Sequence, residues 1–158
     1  MSLAEYSHLL LAVDFEPESE PVVERAQRLR RLLGARLSLL NVVDLATPAA
    51  DYMPFGFSGD IVAPDELTLE RELAEGARRQ LDLLGDRLGV ERTDRLIRSG
   101  PIGPTIDETA REIGADLVVI GSHGRHGLLG LFGSTAKSVL RSIECDVLCV
   151  RLEGPKPA

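Results

Sequence analysis

The stretch GSHGRHGLLGLFGSTAKSVL, residues 121–140, decides the reading of this chain. It follows the apolar run DLVVI (116–120) and carries five glycines in its first thirteen residues. Each glycine costs backbone entropy when it is ordered, so an ordinary connector seldom holds so many. From about Ser134 to Ile143 the capping residues and the apolar period predict a helix. A strand that runs through a glycine loop into a helix N-terminus offers free N–H groups and the positive end of a helix dipole, the arrangement that receives a phosphate. Gly121, Gly124 and Gly133 allow close backbone approach, Ser134 and Thr135 add hydroxyls, and Arg125 and Lys137 add charge. The plainer alternative is a turn that only reverses the chain.

Working outward, strand-like and helix-like runs alternate throughout. HLLLAVD (8–14), LSLLNVVD (37–44), RLIRSG (95–100), DLVVI (116–120) and DVLCVRL (146–152) are short apolar runs suited to strands buried on both faces. Between them, residues 18–33 place Val22, Ala26, Leu29 and Leu33 on one helical face, with Ser19 as cap, Pro21 in the first turn and Gly34 as terminator. Residues 65–88 align Leu69, Leu73, Ala77, Leu81, Leu84 and Leu88, and 104–114 align Ile106, Ala110 and Ile113 ahead of Gly114. Strands separated by helices imply right-handed crossovers and a parallel sheet. The expectation is a single three-layer α/β domain with a five-stranded parallel sheet over residues 1–153. It has an irregular loop at 47–65 and a polar tail at 154–158.

Composition narrows the partners. The chain has 158 residues, 44% hydrophobic and 27% charged, enough for one sizeable core. A formal net charge of −7 without a compensating basic patch argues against nucleic acid. No apolar run has the length of a membrane span, and the N-terminus lacks the pattern of a secretory signal, so a cytoplasmic protein is expected. Cys145 and Cys149 on a strand would lie about 13 Å apart, too far for a disulfide, and read as small core residues rather than a redox or metal pair. His123 and His126 form an HxxH with no further ligands nearby, a weak metal signal.

Two common phosphate motifs are missing. Gly133 is followed by Ser134 where a P-loop has lysine, and the turn after the first strand, VDFEPESEP (13–21), contains no glycine. P-loop hydrolysis and dinucleotide redox chemistry are therefore poorly supported. Asp14 at the end of the first strand is suited both to a ribose hydroxyl and to capping the next turn.

What the chain resembles is the universal stress protein family. Gly121-Ser122-His123-Gly124 and Gly133-Ser134 look like that family's G-x2-G and G-[S/T] elements, with an eight-residue spacer, RHGLLGLF, where the family pattern has nine. LLLAVDF, LSLLNVVD, GADLVVIGSHGRHG and CDVLCVR also look like family segments, so the likeness covers all but 47–65 and the tail. The resemblance implies an adenine nucleotide alpha hydrolase-like fold and ATP binding. It assigns Asp14 and Val42 to the adenosine and adenine, and places Gly121, Ser122, Gly124, Gly133 and Ser134 in the nucleotide loop, where Arg125 and Thr135 join them by their charge and hydroxyl. Bound ATP would bring Mg²⁺ or Mn²⁺ with it. It further implies a homodimer through the last strand, with Val147, Leu148, Cys149 and Val150 at the seam. No general base is positioned, so hydrolysis is expected to be slow or absent. The alternatives are a nucleotide-free dimeric interaction module of the same family, and an enzyme with an SGGxDS-type loop, where this chain has DFEPES (14–19).

Overall fold

The computed structural model describes residues 6–44, 66–122 and 134–152. In chain order these form β1 (His8–Ala12), a 3-10 turn (Pro17–Ser19), α1 (Glu20–Leu33) and β2 (Arg36–Val43). After the undescribed 45–65 come α2 (Glu66–Leu88), a second 3-10 turn (Arg92–Asp94), β3 (Arg95–Ser99) and α3 (Ile102–Ile113). β4 (Leu117–Gly121), α4 (Ser134–Ser142) and β5 (Asp146–Val150) complete it. The strands form one parallel sheet in the order β3-β2-β1-β4-β5. The expected five-stranded α/β architecture is therefore present.

Side-chain alternation along the strands divides the core into two layers. Leu9, Leu11, Leu37, Leu39, Leu117 and Val119 meet α1 and α2, through Val22, Val23, Ala26 and Leu81. Leu10, Leu40, Val118 and Ile120 meet α3 and α4, through Ile106, Ala110 and Val139. Leu9, Leu10, Leu11, Leu39 and Leu40 are fully enclosed, and each such side chain contributes about 1.5–3 kcal/mol of hydrophobic free energy. Continuous apolar runs were needed because both faces of the sheet are covered.

Local expectations hold with three corrections. Gly34 and Gly114 end α1 and α3 in the left-handed conformation, as expected. Ser19 stands at the α1 N-cap but makes no side-chain cap bond, because the 3-10 turn before it already supplies the chain reversal. Leu33 is 42% exposed, so the inward face of α1 is carried by Val22, Val23, Ala26 and Leu29 and does not reach Leu33. α3 begins at Ile102, with Pro104 accommodated in its first turn, where its missing N–H costs nothing.

The amino-terminal end of the sheet is tied by polar groups. The Asp116 carboxylate accepts from Ser7 N (2.8 Å), Ser7 Oγ (2.8 Å) and His8 N (3.0 Å). Burial opposes its charge, but those hydrogen bonds outweigh it and hold the carboxyl below its ordinary pKa. Buried Ser38 Oγ lies 3.2 Å from Asp94 Oδ1 and shares a 2.7 Å hydrogen bond with His8 Nε2, while Arg36 forks onto Asp94. Burial would raise Asp94, yet the Arg36 hydrogen bonds and charge keep it low. His8 is pushed down, first by burial and then by the Arg36 charge.

Candidate functional site

The strand order reverses between β1, whose chain crosses to β2, and β4, whose chain crosses to β5 in the opposite direction. The chain leaving β1 enters α1 on one side, and the chain after β4 leads to α4 on the other. In open α/β sheets this switch point, beyond the carboxyl ends of the strands, is where a ligand sits.

Strand register brings the candidate residues to that edge together. Carrying the β1–β4 register onward from Leu11–Val119 sets Asp14 level with Ser122. Carrying the β1–β2 register onward from Ala12–Leu40 sets Asp14 level with Val42. The even-numbered positions Ala12, Val42 and Ile120 all face the α3/α4 layer. Extended in this way, the register sets Asp14 and Ser122, each just beyond the end of its strand, in a transverse row with Val42, although 80 residues separate Val42 from Ser122 in the chain.

Each member is held differently. Asp14 Oδ1 accepts from Glu16 N at 3.0 Å, an Asx-type turn, so the capping role expected for it is realised. Asp14 Oδ2 has no bond to any described residue. The next residue, Phe15, adopts φ 63°, a conformation that costs a bulky side chain roughly 1–2 kcal/mol. Its ring packs into the α1/α2 core layer, and that burial offsets the cost. Asn41 Nδ2 donates to Val13 O at 2.8 Å, and Val13 N donates to Leu40 O at 2.8 Å, which locks the carboxyl end of β1 onto β2. Val42 packs against the α3/α4 core layer and is half-buried.

Gly121 closes β4 opposite Val150. Ser122 is 7% exposed and acts as a clasp: its N–H donates to Val150 O at 2.9 Å, and its Oγ accepts from Leu152 N at 2.9 Å. The Ser122 lone pairs are thus partly engaged by β5, and its hydroxyl hydrogen is what it retains for a ligand. Ser134 and Thr135 open α4, whose N-terminus lies at the same end of the sheet. Gly124, Arg125 and Gly133, with His123, His126, Gly127 and Gly130, lie outside the described residues.

Sequence reasoning missed Asn41, Phe15 and the polar cluster around Ser38. A signal existed for Asn41 and Ser38, since each is a polar residue inside an otherwise apolar strand run. No sequence signal marked the left-handed Phe15. Cys145 and Cys149 are free thiols packed against the α3/α4 layer, as the core reading expected, and burial raises both above the ordinary thiol pKa. Among the described residues no group of His, Cys, Asp and Glu is arranged to hold a metal, and no helix is long and apolar enough to cross a membrane.

Two surface concavities are found away from this edge. One, about 490 Å³, lies where α2 meets β3 and is lined by Gly85, Asp86, Val90 and Arg95. The other, about 590 Å³, lies between α1 and α2. Both are shallow and neither includes a residue of the Asp14–Val42–Ser122 row.

Comparison with known proteins agrees with this geometry. The universal stress protein family model matches residues 5–151. Universal stress protein A homolog 2 of Coxiella burnetii is 34% identical over 151 residues, which cover 94% of this chain and 97% of that protein. Among solved structures, hypothetical protein MJ0577 superposes with a TM-score of 0.77 at 22% identity, covering 96% of this chain and 100% of that one. A universal stress protein solved in complex with cAMP superposes with a TM-score of 0.62 at 25% identity, covering 95% and 100%. With the same five-stranded fold and a family match along nearly its full length, the chain belongs to the universal stress protein family.

Proposed function

We propose that this protein binds ATP, or a closely related adenine nucleotide, across the carboxyl ends of β1 and β4, and acts as a stress-response or signalling module in the cytoplasm. The observation that carries the reading is the row of Asp14, Val42 and Ser122 at the switch point of the sheet. The solved relative in complex with cAMP supports an adenine-bearing ligand. In this reading Val42 gives the base an apolar floor, and Asp14 Oδ2 accepts from a ribose hydroxyl. The phosphates lie toward α4, served by Gly121, Ser122, Gly124, Arg125, Gly133, Ser134 and Thr135. The spacer of eight residues between Gly124 and Gly133 shifts the anion contacts by up to about 3.5 Å, one residue of chain, relative to a nine-residue pattern. The nucleotide carries its own Mg²⁺ or Mn²⁺. With no oriented general base among the described residues, turnover is slow or absent.

A homodimer through β5 belongs to the same proposal. β5 is an edge strand, and its Val147, Leu148 and Cys149 remain half-buried in the single chain, while Val150 is already enclosed. The opposite edge, β3, carries the partly exposed Arg98, whose charge discourages pairing.

Isothermal titration with Mg·ATP tests the first part: the wild type binds, and Asp14→Ala weakens both ATP and adenosine by about tenfold, the worth of a hydrogen bond to a charged group. No binding heat and no thermal stabilisation at saturating Mg·ATP would leave the nucleotide-free interaction module standing instead. A monomeric mass by light scattering at micromolar protein refutes the dimer.

A further inference from the structure

The first turn of α3 holds polar groups that no described residue uses. α3 spans twelve residues, Ile102–Ile113, and begins at the same carboxyl edge of the sheet as the Asp14–Val42–Ser122 row. Its N-cap position, Pro101, makes no side-chain cap bond, and no acidic residue stands in its first turn. Among the described residues, no hydrogen bond takes up the N–H groups of Ile102 and Gly103 at this positive helix end, which suits them to an outside acceptor.

Thr105 gives an independent pointer. It is 8% exposed, and its hydroxyl bonds to no described residue, although its carbonyl accepts from Thr109 Oγ1 and its N–H donates to Pro101 O. No sealed side-chain polar atom among the described residues lacks a partner, so the Thr105 hydroxyl must open outward. Helical side chains lean toward the N-terminus, which turns this hydroxyl back onto the first turn. Gly100 keeps room for it: its φ is 143°, and a Cβ there would stand 2.8 Å from Thr105 Oγ1.

The setting of this turn indicates what would meet it. α3 lies against β2, and Ile102 and Ile106 share a hydrophobic cluster with Val42. Gly100 N donates to Val43 O at 3.0 Å, tying the turn to the strand end just beyond Val42. A flat ring lying on Val42 would present its edge to Thr105 and the α3 N–H groups.

We infer that the α3 first turn reads the edge of the nucleotide base, with the Thr105 hydroxyl donating to a ring nitrogen of the purine. This rests on the nucleotide-binding reading above and deepens it, because it assigns base selection to a turn remote in sequence from the glycine loop.

Titrations of wild type, Thr105→Val and Thr105→Ser with Mg·ATP, adenosine and tripolyphosphate test it, with thermal melting as the folding check. Thr105→Val should weaken ATP and adenosine equally, about 3–10-fold, as expected for one neutral hydrogen bond. Thr105→Ser should stay within about twofold of wild type, and tripolyphosphate should be indifferent to both changes. The 1-, 3- and 7-deaza analogues of adenosine, each lacking one ring nitrogen, probe the same contact in the unaltered protein. One of them should bind wild type 3–10-fold more weakly than adenosine and suffer no extra loss on Thr105→Val. Wild-type affinity for adenosine in Thr105→Val, or equal wild-type binding of all three analogues, overturns the inference while the nucleotide reading survives. A loss confined to tripolyphosphate would overturn it too, placing Thr105 at the phosphates. Failure of the wild type to bind ATP or adenosine brings down both.

Discussion

Gly85→Ala sets two physical effects against each other. Gly85 lies inside α2, where alanine is favoured over glycine by about 1 kcal/mol in helix propensity. Propensity alone therefore forecasts a more stable protein. The structure forecasts the reverse. A Cβ at position 85 would stand 2.6 Å from Arg95 Cδ and 2.5 Å from Cζ, closer still to Nε, where carbon contacts need about 3.5–4.0 Å. The guanidinium would have to retreat by about 1 Å, and it has nowhere to go. The Arg95 side chain is 6% exposed. It donates through Nε (3.0 Å) and Nη2 (2.8 Å) to Val90 O, through Nη1 to Asp82 O (3.1 Å), and through Nη2 to Asp86 Oδ1 (2.8 Å). Displacement leaves a buried charge short of partners, a loss of about 3–5 kcal/mol. Set against the helix gain, the net destabilisation is about 2–4 kcal/mol. For a domain of this size that lowers Tm by roughly 4–16 °C. Thermal and urea unfolding followed by circular dichroism, at fixed protein concentration, measure it. An Arg95→Ala background supplies the control, since Gly85→Ala should there be neutral or stabilising. A rise in Tm for Gly85→Ala in the otherwise native chain would refute the reasoning.

Acid should weaken the fold in two stages. His8 is held below its ordinary value of 6.5 in the folded chain, so the unfolded chain takes up its proton first and stability falls as pH drops below about 6.5. Asp94 and Asp116 are held below 3.8, so their contribution is present above that value and is lost beneath it; melting scans between pH 7.5 and 3 resolve both stages, and His8→Gln should erase the first alone. Asp116→Asn turns an acceptor-only group into one with an amide that faces the Ser7 and His8 donors, and should cost about 1–2 kcal/mol in chemical unfolding. Ser122→Ala removes the acceptor for Leu152 N and should cost about 1 kcal/mol, with increased hydrogen exchange at Leu152 as its local signature.

The architecture was open to sequence reading because both faces of the sheet are covered, which makes most strands largely apolar runs such as HLLLA or DLVVI. Helix ends at Gly34 and Gly114 were legible for a local reason, the left-handed cap. What stayed hidden depends on the neighbours a residue acquires in three dimensions. Nothing near Gly85 announces that Arg95 will fill the space a side chain would take. Thr105 reads as one more residue of a short helix until its hydroxyl is found without a partner among the described residues. Of the site, the glycine-loop residues came from a strand that runs through glycines into a helix, Asp14 from its place at a strand end, and Val42 from family likeness alone; strand register, carried onward, then aligned Asp14, Val42 and Ser122. The polar residues inside apolar runs, Asn41 and Ser38, were visible but carried no hint of which groups they would clamp.

The division of labour between the two ends of the sheet has a consequence for engineering. Ionic and hydrogen-bonded ties at Asp116, Asp94, Arg36 and His8 fasten the amino-terminal end, on the far side of the core from Asp14, Val42 and Thr105. Substitutions far apart and without shared partners add nearly independently. Exchange of the turns after β1 and β3 therefore leaves these ties intact, provided that the replacement keeps the Phe15 ring in the core and the Gly100 N–Val43 O bond. New ligand preferences should be obtainable by grafting those turns alone, so that one scaffold serves a panel of small-molecule sensors.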